Sequence, residues 1–168
     1  EQVQILTNLQ SGPIVGFSYS GKCEDENVVF VNESSGAISS YEWQFGNGNS
    51  SIQENPSQTY TDYGLYDVTL NTTGTNGCVS SLTKKLNVYS VPQTDFMIEL
   101  PPFACAGAMS QFKDLTPAMP DSNISTWQWS FGDANNGIAT VKNPQYIYVQ
   151  AGNYNVSLKT TTNFGCSN

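Results

Sequence analysis

The sequence has no arginine and no histidine; its six basic residues are all lysines, set against 14 acids, for a formal net charge of -8 at pH 7. Each absence excludes something. Without histidine, the commonest general base and the commonest zinc ligand are gone. An acidic chain without arginine repels phosphate backbones, so no nucleic acid partner is expected. No apolar run approaches the ~20 residues that carry a helix across a bilayer, so no membrane insertion is expected either. Cysteine occurs four times, without a Cys-x-x-Cys pair, which makes a poor metal set. Charged side chains are only 12% of the residues, and the polar surface falls to Asn, Ser, Thr, Gly and Gln, as in secreted all-β proteins.

What is present is repetition. Tyr41-Glu42-Trp43-Gln44-Phe45-Gly46-Asn47-Gly48 returns as Trp127-Gln128-Trp129-Ser130-Phe131-Gly132-Asp133-Ala134. Asn55-Pro56 leads to Tyr60, and Asn143-Pro144 leads to Tyr148. Gly64-Leu65-Tyr66-Asp67-Val68-Thr69-Leu70 returns as Gly152-Asn153-Tyr154-Asn155-Val156-Ser157-Leu158, and the Gly-Cys of Cys78 returns at Cys166. The chain is a tandem array of a module of roughly 80–90 residues.

Alternation of period two runs through both copies: Tyr41, Trp43 and Phe45 share one strand face, as do Tyr66, Val68 and Leu70. Turn signals separate the runs, at Gly46-Asn47-Gly48, Asn55-Pro56, Asp62-Tyr63-Gly64 and Gly132-Asp133. The predicted fold class is all-β: two tandem immunoglobulin-like sandwiches of about seven strands each. Strands are predicted near 15–20, 27–32, 39–46, 49–53, 57–60, 65–73 and 79–89, then 95–99, 110–115, 126–132, 137–141, 145–148 and 153–162. Trp43, Phe45, Trp129 and Phe131 are the expected core, with Gly46 and Gly132 letting the strand bend sharply after them. Asn47 and Asp133 suit turns in which the side chain bonds a nearby backbone amide.

The second module stops two residues after Cys166, so it is expected to lack its last strand. Residues 1–9 read as the last strand of a preceding module. The expected division is 1–10 for that strand or linker, 11–90 for the first domain and 91–168 for the second. The chain then reads as cut from a longer array; a sharper alternative has residues 1–9 filling the vacant edge of a neighbouring molecule's second module.

These motifs resemble the PKD (polycystic kidney disease) domain family, whose pattern is Trp-Asp-Phe-Gly-Asp-Gly, then Asn-Pro, a Tyr and Gly-x-Tyr-x-Val-x-Leu. Trp43 to Gly48 and Trp129 to Ala134 fill the first part, with Gln44 and Ser130 for the first Asp, Asn47 for the second and Ala134 for the final Gly. No shared acidic site at this turn follows. The accompanying cysteines resemble modules of large Bacteroidetes surface proteins, such as gliding adhesins secreted by the type IX system. The resemblance implies an extracellular or cell-surface setting and a spacer or adhesive role, with neighbouring repeats of a parent chain as partners and other surface proteins or polysaccharide as further ones.

The even cysteine count at repeated positions suggests one bridge per module in an oxidising compartment, Cys23–Cys78 and Cys105–Cys166; four reduced thiols, or a Cys78–Cys105 link, are the alternatives. One difficulty is visible beforehand. In an immunoglobulin-like order the loop after the first strand and the loop after the sixth lie at opposite ends.

No catalytic residue is expected, since no His stands ready to activate a Ser. No cofactor is expected either; a calcium ion, which wants six to eight oxygens, would have to draw on Asp114, Asp121 and Asp133 or on Glu24, Asp25 and Glu26. For ligand binding the best exposed aromatics are Tyr63 and Phe103, while Tyr41, Trp127, Tyr146 and Phe164 are expected to pack. The predicted function is a non-catalytic structural or adhesive repeat. The alternative is a carbohydrate- or protein-binding module, or an accessory module of a secreted hydrolase.

Overall fold

The structure, a computed structural model, describes residues 10–101 and 105–168. The expectations for residues 1–9 and Phe103 therefore lie outside the described residues. The chain divides into two compact units between Val88 and Tyr89. Every element among the described residues is a strand.

The first module sets a sheet of β1 (Phe17–Ser20), β2 (Asn27–Asn32) and β5 (Ser57–Thr59) against one of β4 (Ser50–Ser51), β3 (Ile38–Gln44), β6 (Gly64–Gly74) and β7 (Val79–Val88). All pairs are antiparallel. One face of each sheet is apolar, and those faces meet. Phe17, Val28, Phe30, Trp43, Phe45, Tyr60, Val68, Leu70, Leu86 and Val88 form the core. β7 runs beside β6 over ten residue pairs, from Gly64↔Val88 to Thr73↔Val79. It also closes the sandwich: the Tyr19 hydroxyl donates to the Lys85 carbonyl (3.0 Å), and Lys84 Nζ donates to the Phe17 carbonyl.

The second module repeats this with one strand fewer. β8 (Phe96–Glu99), β9 (Met109–Asp114) and β12 (Gln145–Ile147) form one sheet; β11 (Ile138–Ala139), β10 (Ile124–Ser130) and β13 (Ser157–Thr162) form the other. Its core holds Phe112, Trp129, Phe131 and Leu158, with Phe96, Trp127, Tyr146, Tyr148 and Val156 packed against it. Only Ser167 and Asn168 begin a seventh strand, bridging Thr161 and exchanging backbone bonds with Thr160.

The repeated polar residues have repeated jobs. Asn55 Oδ1 accepts the Asn32 amide (2.8 Å), and Asn143 Oδ1 accepts the Asp114 amide (3.0 Å). The carbonyls of Pro56 and Pro144 accept the amides of Phe30 and Phe112. The hydroxyls of Tyr60 and Tyr148 donate to the carbonyls of Phe45 and Phe131, both at 3.0 Å. Those of Tyr66 and Tyr154 cap the turns at Asp62 and Gln150 (2.8 and 2.7 Å). Each Asn-Pro-x-x-x-Tyr run thus ties the edge of one sheet to the Trp-x-Phe-Gly bend of the other.

Candidate functional site

The three aspartates offered as calcium ligands are not brought together, and no cluster of three or more acidic or thiol side chains suited to a metal occurs among the described residues. Each carboxylate has its own task. Asp114 is buried: it accepts the Trp127 indole N–H (2.9 Å) and the Thr116 amide and hydroxyl (3.0 and 2.5 Å). Asp121 accepts the amide and hydroxyl of Ser90 (2.9 and 2.5 Å). Desolvation pushes the Asp121 carboxyl up, yet the bonds from Ser90 and Ser122 together outweigh it and hold the group below its ordinary range. In the acidic loop of the first module, Glu26 accepts the amides of Lys22 and Cys23 (3.0 and 3.1 Å), so it serves as a turn cap.

Asp133 accepts the Gly137 amide (2.8 Å) and the Tyr146 hydroxyl (2.7 Å). Those bonds, the amide first, lower its carboxyl below the ordinary range, and the same contact raises the Tyr146 phenol. Asn47 makes the lighter version, accepting only the Asn49 amide (3.1 Å). A group whose folded value is depressed stabilises above its unfolded value and loses that contribution as pH falls through the folded one. Replacing Tyr146 by Phe is therefore expected to raise the Asp133 titration toward the ordinary carboxylate range. The second module should then also lose less stability between neutral and acid pH. Carbon-detected NMR titration of Asp133 checks the first point, and unfolding at two pH values the second; an unmoved Asp133 would remove the role given to Tyr146.

The aromatics divide as their strands dictate. Tyr41 and Trp127 pack against the two cores. Tyr146 stacks on Phe131 at 4.0 Å, and Phe164 stacks on Tyr89 at 3.7 Å. Tyr63 stands 48% exposed at the loop before β6. Among the described residues no other ring packs against it.

The cysteine pairing differs from expectation. Cys78 and Cys105 are free thiols, whereas Cys23 and Cys166 are each disulfide-bonded. The bridges Cys23–Cys78 and Cys105–Cys166 are thus not made. The reason is the length of β6. Beside Cys23, the Asp25 amide donates to the Tyr60 carbonyl near the Gly64 end, while the Cys78 carbonyl accepts the amide of Gly74 at the other end. Eleven residues of strand at about 3.3 Å each hold the two ends some 30 Å apart, far beyond the reach of a disulfide. The second module separates its pair likewise: the Gly107 amide donates to the Tyr148 carbonyl, and the Thr162 amide to the Cys166 carbonyl.

The feature the sequence did not reveal is a cavity of about 360 Å³ in the second module, walled by Ile98, Leu100, Phe112, Tyr148, Tyr154 and Val156, with Cys105 also lining it. Residues 152–156 there are not strand, although their counterparts Gly64 to Val68 are. In the first module Leu86 and Val88 of β7 are fully buried opposite Tyr66 and Gly64. The cavity lies where their counterparts would pack, beside an open edge of β13. One strand fewer was expected of this module; the apolar recess was not, because its walls come from three separated segments.

The comparisons agree with this architecture. A family model described as the PKD domain matches residues 20–89 and again 92–168. Among solved structures, the chain is 33% identical to the PKD1 domain from Vibrio cholerae metalloprotease PrtV, over 46% of this chain and 98% of that one, with a TM-score of 0.44. It is 32% identical to the PKD1 domain of Vibrio anguillarum Epp, over 46% and 94%, with a TM-score of 0.43. It also resembles the fibronectin(III)-like modules of Clostridium thermocellum CbhA at 12% identity, over 90% and 88%, with a TM-score of 0.50. Two sandwiches with the same Trp-x-Phe-Gly bend, the same Asn-Pro tie and the same capped tyrosine turn, matched twice over, show that this chain belongs to the PKD domain family.

Proposed function

We propose that the chain is a non-catalytic structural and adhesive repeat segment of a large secreted or cell-surface bacterial protein, acting as a spacer or stalk. The observation that carries this reading is where the reactive side chains are spent. Trp43 and Trp129 are fully buried, and Asp114, Asp121 and Asp133 are each engaged in holding a turn or a neighbouring strand. What each module offers instead is resistance to extension, through antiparallel ladders, an aromatic core and cross-sheet bonds from Tyr60 and Tyr148. The four cysteines, two of them disulfide-bonded, suit an oxidising exterior. The repeated cysteines are also what favours a parent among the gliding-adhesin-type proteins that Bacteroidetes export through the type IX system. Neighbouring repeats of the parent chain are the partners this role requires.

Pulling a reduced single molecule from its two ends tests the reading. Two separate unfolding events are expected, one per module, each releasing about 25 nm for a chain of this length folded compactly. A merged single event, or extension without resistance, would defeat it. Saturable binding of a soluble polysaccharide that is lost in Tyr63→Ala would instead favour the alternative, a carbohydrate-binding module.

A further inference from the structure

Asparagine followed by glycine readily loses ammonia without an enzyme, because glycine has no Cβ to hold its amide nitrogen away from the neighbouring carboxamide. The sequence has three such pairs, Asn47-Gly48, Asn76-Gly77 and Asn136-Gly137. All three asparagines are exposed, so access to water does not rank them. Their hydrogen bonds do. The nucleophile is the glycine amide nitrogen once its proton has left, and an acceptor bound to that N–H must be given up first. The Gly77 amide donates to the Gly74 carbonyl (2.9 Å). The Asn76 carboxamide is held as well: Nδ2, the nitrogen that would leave, donates to the Ser11 carbonyl (3.0 Å), and Oδ1 accepts the Cys78 amide (3.1 Å). The Gly137 amide donates to the Asp133 carboxylate (2.8 Å), and a negative charge at that distance opposes the loss of its proton. The Gly48 amide has no hydrogen-bond partner among the described residues.

Asn47 and Asn76 make the same side-chain turn, Oδ1 accepting the amide two residues on, of Asn49 (3.1 Å) and of Cys78. Their carbonyls are therefore polarised alike, and the state of the glycine nitrogen is what separates them. Residues 46–48 lie between β3 and β4, and nothing stands within 4 Å of where a Cβ on Gly48 would be, so the peptide there turns without displacing a packed neighbour. We propose that Asn47 is a site of spontaneous deamidation, and that the fold protects Asn76 and Asn136 from the same reaction. The Gly48 nitrogen gives its proton to water and forms a bond to Asn47 Cγ; the Cγ–Nδ2 bond breaks, and Nδ2 takes a proton from water and leaves as ammonia. Water then opens the five-membered imide at either carbonyl. Opening at Cγ gives aspartate, which supplies the first module with the carboxylate that the second has at Asp133. Opening at the former main-chain carbonyl gives isoaspartate, in which the main chain runs through Cβ and Cγ. That extra methylene enters a bend with little slack: a Cβ on Gly46 would stand 2.8 Å from the Asp67 carbonyl oxygen. Either product adds one negative charge to a chain whose formal net charge is already -8. This chemistry is independent of the spacer role.

Ageing the chain at mildly alkaline pH, folded and in urea side by side, tests this. Chymotryptic peptides read by mass spectrometry give the rate at each asparagine, and electron-transfer fragmentation separates isoaspartate from aspartate. In urea the three pairs should react at similar rates. In the folded chain Asn47 should react faster than Asn76 and Asn136 by roughly fivefold or more, the rate factor for one hydrogen bond broken before attack. Folding should slow Asn76 and Asn136 by at least that factor and Asn47 by less. A folded-state rate at Asn76 or Asn136 equal to that at Asn47 would overturn the assignment. So would an Asn47 that folding slows as much as it slows the other two.

Discussion

Replacing Trp43 by Ala is expected to unfold the first module, or nearly so, while leaving the second folded. Trp43 is fully buried. Phe17 meets its ring edge-on at 5.1 Å, and Phe30 and Phe45 lie at 5.5 and 6.4 Å. Its indole N–H donates to the Gln53 carbonyl (3.0 Å), fixing the loop after β4. Truncation removes the group all three rings rest on and leaves a cavity between two sheets that cannot collapse without losing register, a loss of about 3–5 kcal/mol. A module of this size is stable by only some 4–12 kcal/mol. At about 4–8 °C per kcal/mol, the first module's melting temperature should fall by more than about 12 °C. Hydrogen exchange distinguishes the modules: amides of β3 and β6 should lose protection while those of β10 and β13 keep theirs. A drop below about 5 °C would mean Trp43 is not the centre of the core, at the stability slope just used. Loss of protection in both modules would mean they do not fold independently.

The strands that were legible are those whose partners lie within the same module. The strand predicted at 27–32 is β2 over that same range. The run expected at 153–162 is the informative departure: β13 begins only at Ser157. Alternation in Tyr154, Val156 and Leu158 is as good as in Tyr66, Val68 and Leu70, so local pattern could not tell the two apart. The difference is pairing. In the first module β3 meets β6 only as far as Gln44↔Thr69, and Gly64 to Val68 are held by β7 alone. In the second, the ladder with β10 ends at Ser130↔Ser157, and no seventh strand lies beyond it among the described residues. A strand needs a neighbour for its backbone groups, and periodicity does not report whether one is there. The cysteines show the same limit. Their positions announced the repeat, but connectivity is a property of which ends meet, and the loops' opposite placement, already a difficulty on topology, decided against the bridges within each module.

The Trp-x-Phe-Gly bend tests how much of the motif is steric demand. Gly46, Gly48 and Gly132 all have positive φ, at 78°, 91° and 70°. A side chain on Gly132 would place its Cβ 2.2 Å from the carbonyl oxygen of Asn155 and under 3 Å from that residue's backbone carbon and nitrogen. On Gly46 the nearest atom is the Asp67 carbonyl oxygen at 2.8 Å, and on Gly48 nothing lies within 4 Å. All three alanine variants incur the left-handed backbone cost of about 1–2 kcal/mol. Gly46→Ala and Gly132→Ala add crowding against backbone that cannot rotate away, about 1–3 kcal/mol more. Gly132→Ala is therefore expected to destabilise its module most, by about 2–5 kcal/mol in sum. Gly46→Ala should follow, with Gly48→Ala least. Urea unfolding of the three variants, each compared with the parent on its own module, gives the order. If Gly48→Ala cost as much as Gly132→Ala, φ alone would explain the glycines, and the close passage of the bend over Asp67 and Asn155 would be incidental. The graded order would mean that the motif's glycine exists because two segments of backbone cross there without room for a methyl group.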